Sequence, residues 1–142
     1  MKKTFIAIVL SLVSVSLFAQ EKYFKNVSET QEFSKKIVDL FEKDKIPELF
    51  SQLTTYWPMP LNEILALEDK TIKYINVIKS RYGEPIGSLK VKNKTISDIA
   101  IQETYLVRYE KTALRVIFIY YKNNNGWIIN GFKWDDLLKE EF

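Results

Sequence analysis

The sequence predicts an α+β fold in which N-terminal helices pack on one face of a curved antiparallel sheet of about four strands. Three observations predict it. Apolar residues recur at helical spacing from Phe33 to Ile78. From Pro85 onward the pattern changes to runs of alternating apolar and polar residues, rich in β-branched and aromatic side chains and separated by turn residues. Helices come first and strands afterwards, an order that suits an antiparallel sheet covered on one side.

The chain opens with Lys2 and Lys3, an apolar run from Phe5 to Phe18, and the small residue Ala19. That layout predicts a secretory signal peptide over residues 1–19, cleaved after Ala19. The run is short for a membrane span of roughly 20 residues; an uncleaved anchor is the alternative. Export to the periplasm or the exterior of a bacterial cell follows, with one domain, residues 20–142, free of the membrane after cleavage.

Within that domain, Ser28 with Gln31 reads as a capping box ahead of Phe33, Ile37, Leu40 and Phe41. Lys43-Asp44-Lys45 interrupts, and Pro47 suits the first turn of a second helix bearing Leu49, Phe50 and Leu53. Thr54 to Pro60 reads as a connection. A third helix carries Leu61, Ile64, Leu65, Leu67, Ile72, Ile75 and Ile78, with Asn62 or Asp69 as a cap or break and Gly83 as its stop. Strands are predicted over 86–94, 98–109, 112–122 and 127–134. Asn123-Asn124-Asn125-Gly126 is a hairpin signal. A two-residue loop at Glu110-Lys111 would set Glu103 opposite Phe118 and Tyr105 opposite Val116. One face then carries Ile99, Ile101, Glu103, Tyr105, Val107, Leu114, Val116, Phe118 and Tyr120, and this is the face assigned to the helices.

Composition narrows the chemistry. Histidine and cysteine are both absent. A Ser-His-Asp or Cys-His catalytic set cannot be built, disulfides are excluded, and the commonest metal ligands are missing. Nothing points to a cofactor. The net charge of +3 owes two units to Lys2 and Lys3, and lysines alternate with acids elsewhere. No basic stripe supports nucleic-acid binding.

Four groups of residues stand out. Glu103 interrupts an apolar face, where a desolvated carboxylate could serve as a general base; otherwise it lies near a sheet end or pairs with Lys90, Lys92 or Lys133. Tyr56, Trp57, Tyr74, Tyr105, Tyr120 and Trp127, with Glu103, could line a pocket for a small apolar ligand, or simply form core. Arg115, Ile117, Ile119 and Tyr121 lie on the opposite sheet face. They form a surface for a two-fold homodimer, unless the segment Leu137 to Phe142 covers it. Asp135-Asp136 reads as the cap of a terminal turn, with metal binding as the alternative.

The hairpin Tyr105-Leu-Val-Arg-Tyr-Glu-Lys, the strand Arg115-Val-Ile-Phe-Ile-Tyr-Tyr-Lys and the run Asn125-Gly-Trp-Ile-Ile-Asn-Gly-Phe-Lys-Trp-Asp-Asp, after helices ending at Gly83, resemble the nuclear-transport-factor-2-like superfamily. More narrowly, they are similar to its small exported bacterial domains of unknown function. The resemblance implies a cone with a pocket between sheet and helices, and frequently a homodimer through the sheet. It implies no single activity, because this fold hosts isomerases, cyclases and many non-enzymes. None of the catalytic motifs of its enzymes is matched. The expectation is therefore a non-enzymatic domain binding a small apolar or amphipathic ligand or a protein partner. An isomerase- or cyclase-type enzyme using Glu103 with Tyr105 or Tyr74, and a purely structural dimerisation module, are the alternatives.

Overall fold

The computed structural model describes residues 22–142; the expected signal peptide and its cleavage site lie outside them. Three helices, α1 (Val27–Glu42), α2 (Ile46–Tyr56) and α3 (Leu61–Tyr82), precede four strands, β1 (Pro85–Ile96), β2 (Ala100–Tyr109), β3 (Ala113–Asn123) and β4 (Gly126–Asp135). A 3-10 turn, Leu138–Glu141, ends the chain. The strands form one antiparallel, unclosed, curved sheet in the order β1-β2-β3-β4. The fold is α+β, as the pattern predicts.

The cap of α1 differs from expectation. Asn26, in extended conformation, accepts the Glu29 N–H on Oδ1 at 3.0 Å, while Glu29 Oε2 accepts the Lys25 N–H at 2.7 Å. The box therefore closes on Asn26 and Glu29, two residues before the Ser28-Gln31 pair. At the other end, Asp44 takes a left-handed φ of 59°, and Lys45 N–H bonds Leu40 C=O while Asp44 N–H bonds Phe41 C=O. This paired closure turns the chain sharply into α2 with Asp in the place usually held by glycine. α2 runs on through Tyr56, and α3 is continuous past Asn62 and Asp69.

The core lies between the helices and the concave sheet face. Phe33, Ile37 and Phe41 of α1, Leu49, Phe50 and Leu53 of α2, and Ile64, Ile75 and Ile78 of α3 meet Ile101, Val107, Leu114, Val116, Phe118, Tyr120 and Phe132. Leu61, Leu65 and Leu67 are exposed, because the buried stripe of α3 runs through Ile64, Thr71, Ile75 and Ile78 instead. Tyr120 ties sheet to helix: its O–H donates to Thr30 C=O at 3.1 Å, and the Ser34 hydroxyl lies 2.6 Å from it. With its one proton committed to Thr30, Tyr120 accepts from Ser34.

The β2–β3 register sets Glu103 opposite Phe118 and Tyr105 opposite Val116, as the two-residue loop requires. Ile99 departs from its expected place: β2 begins only at Ala100, after a turn with Ser97 at φ 47°, and Ile99 is exposed. β3 and β4 pair from Asn123–Gly126 toward Arg115–Asp135, with one irregularity that leaves Asn130 without a partner. Gly126 has φ 135°, and a Cβ there would lie 2.6 Å from Phe24 O. Gly126→Ala is expected to cost about 2 kcal/mol, from strain and from displacing Phe24. The shift in urea midpoint measures it, and an unchanged midpoint would refute the strain argument.

Candidate functional site

Glu103 lies at the middle of the concave face and is 0% exposed. Lys90 reaches it from the neighbouring strand, with Nζ 3.5 Å from Oε1. The Tyr105 O–H donates to Oε2 over 3.4 Å. Both contacts are long for charge-assisted bonds, and Oε1 has no hydrogen-bond partner among the described residues. Burial, with the Glu103 charge as a secondary cause, pushes the Tyr105 hydroxyl well above the usual tyrosine range. Burial does the same to Tyr120, against the opposing hydrogen bond from Ser34. Both phenols are thus held protonated at neutral pH. Of the three lysines weighed for Glu103, the one that pairs is Lys90.

Most of the expected aromatic set joins one core network, linked through Phe24, Phe118 and Phe132, and Tyr74 stands outside it. Tyr56 stacks on Phe24 at 3.9 Å between ring centroids, and Phe24 meets Tyr120 edge-on and bridges the backbone of Trp127. Trp57 packs edge-on against Phe132. Tyr105 abuts Phe118, beside Glu103. Tyr74, 53% exposed, stands apart from all of these, edge-on to Trp134 at 6.1 Å.

Tyr74 and Trp134 wall a cavity of about 340 Å³ between α3 and β4. From α3 come Leu67, Lys70, Thr71, Tyr74 and Ile78, a single helical stripe; from β4 and its exit come the consecutive residues Phe132 to Asp136, and Phe50 closes the floor. The Trp134 indole N–H donates to Thr71 Oγ1 at 3.0 Å, tying strand to helix at one point. Glu103, Tyr105 and Tyr120 are not among the walls. The lining mixes apolar and aromatic side chains with Thr71 and four charged residues. The cavity's volume falls within the roughly 300–1,000 Å³ usual for ligand pockets. Sequence reasoning missed Thr71, Phe132 and Trp134. The available signal was Thr71, a hydroxyl set within the aliphatic stripe of α3.

On the convex face, Arg115 is 8% exposed and holds Asp135 through two 2.7 Å bonds, one from Nε and one from Nη2. Its Nη1 donates to Glu141 at 2.9 Å, and Lys92 reaches the same carboxylate at 2.7 Å. The terminal turn is thereby fastened across β3. Ile117 is buried, Ile119 is half-buried and Tyr121 is exposed. Asp135 also accepts the Leu137 N–H at 3.0 Å, a bond that precedes the terminal turn; the turn itself has no side-chain cap, contrary to the expectation for Asp135-Asp136.

No family model matches the chain, and no curated protein or solved structure matches it significantly. Among the described residues, no helix is long and apolar enough to cross a membrane.

Proposed function

We propose that the protein is an exported, non-enzymatic binding domain of the nuclear-transport-factor-2-like type, and that the cavity between α3 and β4 receives an apolar or amphipathic ligand. The cavity itself carries the reading. Tyr74, Trp134 and Phe132 give it aromatic walls, and the hydroxyl and charged groups of the same lining can hold a polar end of the ligand. The helices-then-sheet architecture supports the superfamily assignment, and the leader pattern supports export.

The test is titration with the fluorescent amphiphile 1-anilinonaphthalene-8-sulfonate. Tyr74 is exposed and contributes little to the core, so Tyr74→Ala should leave thermal stability unchanged while weakening dye binding about tenfold. Equal dye affinity in parent and variant would remove the cavity as the site.

Glu103 supports a second reading, an isomerase- or cyclase-type enzyme. A wholly buried carboxyl with one oxygen that accepts no hydrogen bond, beside a protonated tyrosine, is a general-base geometry. The Lys90 ion pair and the separation of Glu103 from the cavity favour the binding domain over it.

A further inference from the structure

β4 is an edge strand, and its free edge faces the cavity. The direction of its backbone groups follows from one hydrogen bond. Lys122 N–H bonds Ile99 C=O, so the even-numbered residues of β3 turn their backbone toward β2. Their partners on β4, Trp127, Ile129, Phe132 and Trp134, therefore turn N–H and C=O outward, away from β3. Trp127 shows the consequence: Phe24, in an extended segment, exchanges both bonds with it at 2.8 and 2.9 Å. The chain thus already adds one residue of strand to this edge. Farther along, the outward groups of Phe132 and Trp134 have no backbone partner among the described residues, and there the cavity opens.

We infer that an extended, acidic peptide segment of another protein adds as a fifth strand beside Phe132–Trp134 and seats an apolar side chain in the cavity that Tyr74 and Trp134 wall. The inference rests on the cavity being the binding site and names its occupant. An unpaired edge supplies affinity through main-chain hydrogen bonds, and a pocket beside it supplies selectivity for every second side chain. The acidic character follows from charge. Lys70 and Lys133 at the mouth have no carboxylate within ion-pair distance among the described residues, whereas Asp135 is committed to Arg115. Asp136 is left as the one opposing charge on that wall. The stripe of α3 forms the far side of the groove, tied to β4 at the Trp134–Thr71 bond.

The experiment uses the acetylated, amidated peptide Glu-Val-Phe-Val-Glu at millimolar concentration, with 15N-resolved hydrogen exchange of the protein. The expected result is exchange slowed about tenfold at the Phe132 and Trp134 amides, displacement of the naphthalene dye, and loss of both effects when alternate peptide nitrogens are methylated. If the methylated peptide displaces the dye equally and no amide is protected, strand addition is wrong while the cavity remains a ligand site. If neither dye nor peptide binds, the cavity reading fails and strand addition with it. Amide protection that instead grows with protein concentration, without peptide, would make the occupant a second copy and overturn the proposal.

Discussion

Replacing Arg115 by alanine is expected to lower stability by about 2–4 kcal/mol and to free the C-terminal turn. The guanidinium holds Asp135 in a two-bond fork and Glu141 with its remaining donor. The side chains of Asp135 and Glu141 are only 20% and 10% exposed, so Asp135 would be left half-desolvated without a counter-charge and Glu141 with Lys92 alone. Removing one partner of such a set costs more than the set contributes, because the orphaned charges remain. Partial solvent access keeps the loss below that of a fully buried triad. Arg115→Lys should fall between, since an ammonium cannot reproduce the fork. Urea unfolding gives the energy, and carboxypeptidase digestion reports release of residues 137–142. Unaltered digestion in Arg115→Ala would mean that the turn is held by packing instead.

Acid should act on the same fastening. The hydrogen bond from Arg115 holds the Asp135 carboxyl below its usual range, and the bonds from Lys92 and then Arg115 do so for Glu141. A carboxylate depressed in the folded state contributes stability that is fully present above its ordinary value, here 3.8 and 4.5. That contribution is lost as pH falls through the lower folded values. Stability should therefore be flat from about pH 7 to 5 and fall below about pH 4, with a smaller fall in Arg115→Ala.

The hairpin turns explain why so much of the sheet was legible. A two-residue loop at Glu110-Lys111 leaves one register for β2 and β3, and that register puts Glu103 among core residues. The fourth strand was less legible because one unpaired residue decides its faces. Counting back from the Asn123–Gly126 pair without interruption would set Trp134 opposite Arg115, on the convex face. The bulge at Asn130 shifts the remainder by one, so Trp134 pairs with Val116 on the helix side and Asp135 meets Arg115 outside. A one-residue slip exchanges the two faces of a strand. Asn130 thus builds both the cavity wall and the ion cluster, yet in the sequence it is an ordinary polar residue before a glycine. The cavity was illegible for a further reason. It depends on how far α3 stands from the edge of β4, a distance set by Thr71, Tyr74 and Trp134 together.

Glu103→Ala should destabilise the fold by about 2–4 kcal/mol, whereas Glu103→Met should be at least as stable as the parent. Alanine leaves a void at a wholly buried position and strips Lys90 of its partner. Methionine fills the space, and Lys90, whose side chain is 31% exposed, can turn to water. What methionine gives up is small: a 3.5 Å ion pair and one 3.4 Å bond, set against the desolvation of a carboxylate whose Oε1 accepts no hydrogen bond. Apolar replacements of such pairs are commonly neutral or stabilising. A methionine variant less stable than the parent by more than about 2 kcal/mol would show the ion pair to be a principal support of the sheet. The same variant separates the two functional readings. Because Glu103 does not line the α3–β4 cavity, dye binding should be unchanged in Glu103→Met, whereas any turnover that depends on a general base in the cone should vanish with it. An acid retained at some cost to stability is a common sign of use. On the binding reading Glu103 serves something other than ligand capture, and fixing Lys90 against the Tyr105 ring, 6.0 Å from its centroid, is the role its contacts describe.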